Sequence, residues 1–427
     1  DYQNIECFLD DFDYLMQNKA LHQEGDRIYL METWRYESYS AGVLAELLSE
    51  KNPKIRRMLP NPIVVNGKTL TDEQREAVAL ALSSRICLIM GGAGTGKTTL
   101  IEAIVNQYGG LSDWALCAPT GKASRNLTER TGLPASTVYR ILNKSPKNDL
   151  MTAEKPEGLR MVIVDEVSML SLKEFAGLMR YAEDGCRIVL LGDSHQLLSV
   201  GSGNVLPDLM ALNVSNIVLT ECHRQKGAQE KALVNNVFYF NRLQSIDEIL
   251  WDGSFQLSEI EHADLLMDIV AREGAQRYQN NESVQVITPR NDTVFELNKR
   301  MQTILNPLKV ATDGTQLQLV LYPGKRKEIC FRDGDRVMML KNDRDGLYSN
   351  GDIGILRIED YDKKKPKYSV RFADGRVAMM TGRGGLYDLS HAYAITVHKS
   401  QGSEYDTVIM VLGQGDSRML YRNLVYT

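Results

Sequence analysis

Four short runs, Ile86–Met90, Trp114–Ala118, Met161–Val164 and Arg187–Leu191, punctuate the middle of the chain. Each ends in a glycine-rich or polar corner and is followed by a stretch with helical spacing. Apolar runs this short, without polar alternation, read as strands covered on both faces. Strands alternating with helices predict a parallel sheet with crossover helices, whose functional residues collect at the carboxyl ends of the strands. The corners Gly91-Gly92, Pro119-Thr120, Asp165-Glu166 and Gly192-Asp193 fall there. A second α/β pattern begins near Asn216, with strands at Ile217–Leu219, Val284–Thr288 and Val408–Leu412. Between about residues 328 and 390 the pattern turns all-β, with turns at Asn350-Gly351 and Asp374-Gly375, as a small inserted barrel would require.

The first 64 residues read as a small separate domain. Ile5, Phe8, Leu9, Phe12, Leu15 and Met16 recur at steps of three and four, the spacing of an amphipathic helix. Arg27–Leu30 reads as a strand and Ala41–Ser49 as a second helix; Trp34, Tyr36 and Tyr39 are expected to pack its core. Pro53, Pro60, Pro62 and the Asn66-Gly67 turn then break the chain. The organisation expected is residues 1–64, a small N-terminal domain; 65–215, a first α/β domain; 216–327 with 391–427, a second; and 328–390, the inserted barrel.

Composition narrows the function without naming it. No apolar run approaches the ~18 residues of a membrane span, so no membrane association is expected. The net charge of −5 provides no global basic field; nucleic acid would have to be held in a local groove. The six cysteines form no CxxC pair and the six histidines no metal-ligand spacing, which predicts reduced thiols in a cytoplasmic protein without structural zinc. Lys325-Arg326-Lys327, Arg332, Arg336, Lys341 and Arg344 form a basic run, read either as a solvated edge or as a DNA-backbone contact.

Gly91-Gly92-Ala93-Gly94-Thr95-Gly96-Lys97-Thr98 matches GxxxxGK[ST] in full, between an expected strand and an expected helix. Glycines let the backbone wrap a polyphosphate, Lys97 reaches the β- and γ-phosphates, and the Thr98 hydroxyl binds Mg²⁺. Downstream, the strand Met161–Val164 runs into Asp165, placed to hold Mg²⁺ through water, and Glu166, placed to polarise the attacking water. Gln196, in Gly192-Asp193-Ser194-His195-Gln196-Leu197, can bond both a γ-phosphate and the lytic water.

These strings, in this order, resemble superfamily 1 DNA helicases of the RecD-like branch. Thr71-Asp72-Glu73-Gln74 is similar to the family's upstream glutamine motif, which implies that Gln74 reads the adenine edge. Ala118-Pro119-Thr120-Gly121-Lys122-Ala123 resembles its single-strand contact motif, and Thr396-Val397-His398-Lys399-Ser400-Gln401-Gly402-Ser403-Glu404 its motif V. Arg224 falls where the family places a γ-phosphate arginine. The resemblance implies two RecA-like P-loop domains with ATP in the cleft between them, an inserted small β-barrel and an N-terminal helical, winged-helix-like domain. It implies a nucleotide site of Gln74, Gly92, Ala93, Gly94, Thr95, Gly96, Lys97, Thr98 and Thr99 with Gly402 and Glu404. It implies catalytic roles for Lys97, Glu166, Gln196 and Arg224, Mg²⁺ on Thr98 and Asp165, and DNA contacts at Pro119, Thr120, Lys122, Thr396, His398 and Lys399.

The activity so implied is ATP-driven translocation on single-stranded DNA, with 5′→3′ unwinding of tailed duplexes in recombination or repair and helicase–nuclease subunits as partners. The alternative is a nucleic-acid-binding scaffold, or a recombination-complex subunit, with weak or no turnover. Two departures from the family's pattern stand out. Tyr139 occupies a segment where the family carries a histidine, and Lys144 to Arg160, where the family inserts a duplex-splitting hairpin, is short and polar. The chain opens on Asp1 and ends at Thr427; the native protein is expected to start earlier, and to continue into a further γ-phosphate arginine.

Overall fold

The computed structural model describes residues 5–49, 59–92, 94–109, 113–144, 148–212, 214–221, 256–322, 328–343, 346–362, 364–417, 419 and 421–427. The chain divides into two units, Asp1–Lys226 and Gly227–Thr427.

The first unit is built on a six-stranded sheet in the order 216–219, 86–91, 187–192, 161–164, 114–118, 135–137, and every neighbouring pair is parallel. The period-two geometry of a strand sends alternate residues to opposite faces. Leu88, Met90, Val162, Val164, Ile188 and Leu190 enter one core. Cys87, Ile89, Ile163, Val189 and Leu191 enter the other. Burial on both faces is what the unbroken apolar runs foretold. The helices Asp72–Ser83, Lys97–Tyr108, Gly121–Thr131 and Leu172–Glu183 supply the covering layers.

Two expectations are corrected here. Asn216–Leu219 does not open the second α/β pattern; it pairs in parallel with the P-loop strand, Asn216 opposite Leu88 and Leu219 opposite Gly91. A four-residue apolar run carries no mark of which sheet it joins. Second, the N-terminal residues do not stand wholly apart. The helix Met31–Ser49 lays Tyr36, Val43, Leu44 and Leu47 into the same core as Phe175 and Met179 of the helix Leu172–Glu183. The Tyr39 hydroxyl donates to Glu183 at 2.7 Å, and Lys173 to Glu32 at 3.0 Å. Tyr36 thus packs the core of the α/β unit, whereas Trp34 stacks on His22 of the hairpin formed by Leu21–Glu24 and Arg27–Leu30.

The second unit has a three-stranded parallel sheet, with Val284–Thr288 between Ala394–Thr396 and Thr407–Met410, packed by the helices Ala263–Gln279 and Asn291–Leu305. The all-β insertion is a five-stranded antiparallel sheet in the order 377–381, 367–372, 353–360, 336–339, 389–391. Among the described residues its two outer strands do not pair with each other. The fully buried Asp335 ties this sheet to the α/β part. Its carboxylate accepts from Gln302 Nε2 at 2.6 Å, Asn306 Nδ2 at 2.8 Å, the Arg332 N–H at 2.7 Å and the Tyr393 hydroxyl at 3.0 Å, and lies 3.2 Å from His391 Nε2. This many hydrogen bonds to the charged form, with the His391 imidazole beside it, hold the Asp335 carboxyl below its ordinary range despite the opposing effect of burial.

Leu44→Ala is expected to destabilise the first unit by about 2–5 kcal/mol, the cost of a cavity in a shared core, read as a lower urea midpoint. An unchanged midpoint would mean that the N-terminal helix folds apart from the sheet.

Candidate active site

The P-loop joins the wholly buried strand Ile86–Gly91 to the helix Lys97–Tyr108. Gly94 and Gly96 take φ of 82° and 84°, which side chains with a Cβ disfavour, and Gly96 caps the helix. At Gly91 the reason for glycine is space: a Cβ would collide with the Thr95 hydroxyl and come within 3.2 Å of Leu219 Cβ. Lys97 Nζ donates to the Gly91 carbonyl and, at 3.1 Å, to the Gly92 carbonyl. The ammonium is therefore held over its own loop. Thr98 and Thr99 follow in the first helical turn, half-buried. Ala93 lies outside the described residues.

Gln74 is committed within the protein. Its Oε1 accepts from the Thr71 N–H at 3.1 Å in a capping box, and its Nε2 donates to the Thr95 carbonyl at 3.2 Å. The family resemblance assigns it the adenine edge; here it ties the helix Asp72–Ser83 to the P-loop.

The strand Met161–Val164 delivers Asp165 and Glu166 to the same edge, one strand removed from the P-loop strand. The Asp165 N–H donates to the Cys117 carbonyl at 2.9 Å, and Glu166 turns through a left-handed conformation at φ 55°. Asp165 Oδ1 and Glu166 Oε2 are both buried without a hydrogen-bond partner among the described residues. Burial raises the Asp165 carboxyl, against the pull of Lys97. Glu166 is pushed up to about 7 by burial and by the neighbouring Asp165 charge, again opposed by Lys97. Orphaned acid oxygens near an ammonium fit a missing divalent cation and an attacking water. Asp193 ends the intervening strand Arg187–Gly192, and its carbonyl accepts from the Gln196 N–H at 3.3 Å. Gln196 thereby shares the sheet edge with the P-loop and the acidic pair.

The expected DNA contacts fall in both units. Thr120 ends its strand and caps the helix Gly121–Thr131, accepting from the Ala123 N–H at 3.2 Å; Pro119 precedes it and Lys122 stands in the first turn. In the second unit Thr396 caps the short helix Val397–Ser400 in the same way, accepting from the Lys399 N–H at 3.3 Å. Burial lowers both His398 and Lys399 from their ordinary pKa values. Gly402 follows at φ 71°, with Glu404 just beyond it. Arg224 and Lys325-Arg326-Lys327 lie outside the described residues.

The basic run does not form one patch. Arg336 is turned inward over the Tyr278 ring and donates to Gln285 Oε1 at 3.0 Å, and Lys341 pairs with Asp388 at 2.6 Å. Nor do the described residues between Lys144 and Arg160 contain a strand. Leu150 and Ala153 are buried there, so close to the helix Leu172–Glu183 that a Cβ on Gly177 would come within 2.5 Å of Leu142 Cδ1 and 3.1 Å of Leu150 Cβ. Tyr139, the departure from the family's histidine, packs against the same core.

Residues 69–239 match the model of an AAA domain, and residues 391–427 that of a UvrD-like helicase C-terminal domain. The ATP-dependent RecD2 DNA helicase of Deinococcus radiodurans is 33% identical over 98% of this chain. The RecBCD enzyme subunit RecD of Mycobacterium tuberculosis is 28% identical over 96% of it. The chain belongs to the RecD-like superfamily 1 helicases. This RecD-like chain spans 56% of the Deinococcus protein's length and 75% of the mycobacterial one. Its fold is also similar to that of a Bacteroides Pif1 helicase in complex with ADP-AlF3 and ssDNA. That match has a TM-score of 0.53 and 18% identity, and covers 84% of this chain and 89% of that one. The Candida albicans Pif1 helicase gives 0.51 at 19% identity over 85% and 91%.

Gln74→Ala is expected to cost about 1–2 kcal/mol, since it removes half of the capping box and the tether to Thr95. Thermal unfolding of the variant checks this; an unchanged transition would mean that the tether is not formed in solution.

Proposed function

We propose that this chain is the motor core of an ATP-dependent enzyme that moves 5′→3′ along single-stranded DNA in recombination or repair. The observation that carries the reading is the pair of orphaned buried oxygens on Asp165 and Glu166, set against an ammonium held in a phosphate-binding loop. The P-loop amides and the start of the helix Lys97–Tyr108 would face the β- and γ-phosphates of ATP. Lys97 would exchange its loop carbonyls for phosphate oxygens and neutralise charge as the terminal bond breaks. Thr98 and Asp165 would hold Mg²⁺, which when bound screens the phosphate charge. Glu166, raised toward neutrality, is matched to accept the proton of a water attacking the γ-phosphorus. Gln196 would orient that water, and Arg224 would stabilise the departing charge.

DNA is assigned to Thr120 and Lys122 in one unit and to Thr396, His398 and Lys399 in the other. That reading is supported by their place at the ends of parallel strands. We read residues 328–390 as the family's inserted barrel, and the N-terminal helix–hairpin–helix as winged-helix-like. Cytoplasmic helicase–nuclease subunits are the partners that the RecD relatives suggest. The segment packed down at Leu150 and Ala153 favours translocation over strand splitting by this part of the chain.

Lys97→Ala should abolish ATP hydrolysis; unchanged turnover would refute the phosphate assignment. Glu166→Gln should bind Mg·ATP as the native protein does yet hydrolyse it ~10²–10⁴-fold more slowly, the span of a lost general base. A loss of Mg·ATP affinity instead would mean that the two carboxylates have exchanged roles. Polarity is checked by displacement from tailed duplexes: displacement from 5′-tailed substrates is expected, and displacement from 3′-tailed ones alone would refute the direction.

A further inference from the structure

The second unit holds a cavity of about 160 Å³ between the helix Asn291–Leu305, the carboxyl end of the parallel sheet and the antiparallel insertion. Val294, Phe295, Met338 and Ile395 give it an apolar wall, and Thr396 and Lys399 a polar side. A space of roughly 150 Å³ holds a single benzene ring, whereas drug-sized ligands occupy ~300–1,000 Å³. Size alone selects one planar six-membered ring. Phe295 offers an aromatic surface for it, half-buried and so open at the mouth.

Charge selects what the ring is attached to. Among the described residues the Lys399 ammonium makes no hydrogen bond or ion pair, although burial has already lowered its pKa. A half-buried cation without a partner is costly, and an anion beside it recovers that cost. Thr288, opposite Thr396 in the parallel register, adds a buried hydroxyl with no partner among the described residues. On the far side His391 is fixed against Asp335 and Gln302 at 3.2 and 3.1 Å, so that wall is rigid.

We propose that this cavity receives one pyrimidine base of a bound DNA single strand, stacked on Phe295, with its adjoining phosphate on Lys399. The proposal rests on the motor reading above and adds a base-sensitive contact to its backbone contacts. A purine, with a second ring, overfills the space.

The test is fluorescence anisotropy of the full chain with labelled oligothymidylate, oligodeoxyadenylate and an abasic strand of equal length. The native chain should bind the thymidine strand about tenfold more tightly than the abasic one, the order of one base–aromatic stack, and more tightly than the adenine strand. Phe295→Ala empties the wall and Val294→Trp fills the cavity. Both should remove the thymidine preference while abasic binding is kept, with circular-dichroism melts reporting the fold of each. Lys399→Ala should weaken thymidine and abasic strands alike and flatten the salt dependence by about one charge. An unchanged thymidine-to-abasic ratio in either folded variant overturns the pocket and leaves the motor reading standing. Failure of the native chain to bind any strand overturns both.

Discussion

Two adjacent carboxylates, Asp165 and Glu166, are buried at the end of a strand with no hydrogen-bond partner for one oxygen of each. Desolvation and mutual repulsion both disfavour their ionised forms. The cost is offset by Lys97, whose charge opposes the upward shift at both acids. Lys97 in turn is positioned by the Gly91 and Gly92 carbonyls, and Thr95 closes the loop by donating its hydroxyl to Gly92 at 2.9 Å. The arrangement requires the parallel sheet, because only neighbouring strands ending at one edge bring the loop and the acids together. Glu166 adds a left-handed backbone, a strain of ~1–3 kcal/mol that surrounding packing must hold in place.

The second unit depends on a different constraint. Asp335 is a buried acid as well, but every direction around it is satisfied: two amide side chains, a backbone N–H, a tyrosine hydroxyl and an imidazole. A carboxylate bonded in this way is structural. It fixes the insertion to the helix Asn291–Leu305 and to the chain leading into Thr396 and Lys399. The contrast between a satisfied and an unsatisfied buried acid separates the scaffold from the reacting site.

The chemistry was legible wherever residue type and spacing are themselves the mechanism. The P-loop glycines, Lys97 and the acid pair after an apolar strand could be read directly, as could the strand–helix alternation around them. What the sequence hid was partnership. Asn216–Leu219 carries no sign that it lies beside Ile86–Gly91, because strand order is a long-range property. Tyr36, Val43, Leu44 and Leu47 look like the core of a small domain until Phe175 and Met179 are seen opposite them. Arg336 reads as one member of a basic run, yet it is drawn inward by Tyr278 and Gln285. Asp335 looks like an ordinary turn residue, since none of its side-chain partners is adjacent in sequence.

The claim at the centre is that the buried acids exist to work with a metal-bound nucleotide and that DNA engages the same motor. The most direct measurement is steady-state ATP hydrolysis by the native chain, with and without Mg²⁺ and with and without single-stranded DNA. Hydrolysis that requires Mg²⁺ and rises at least tenfold on adding DNA is the result predicted. Tight Mg·ATP binding with no hydrolysis under either condition would contradict the account and favour a binding scaffold.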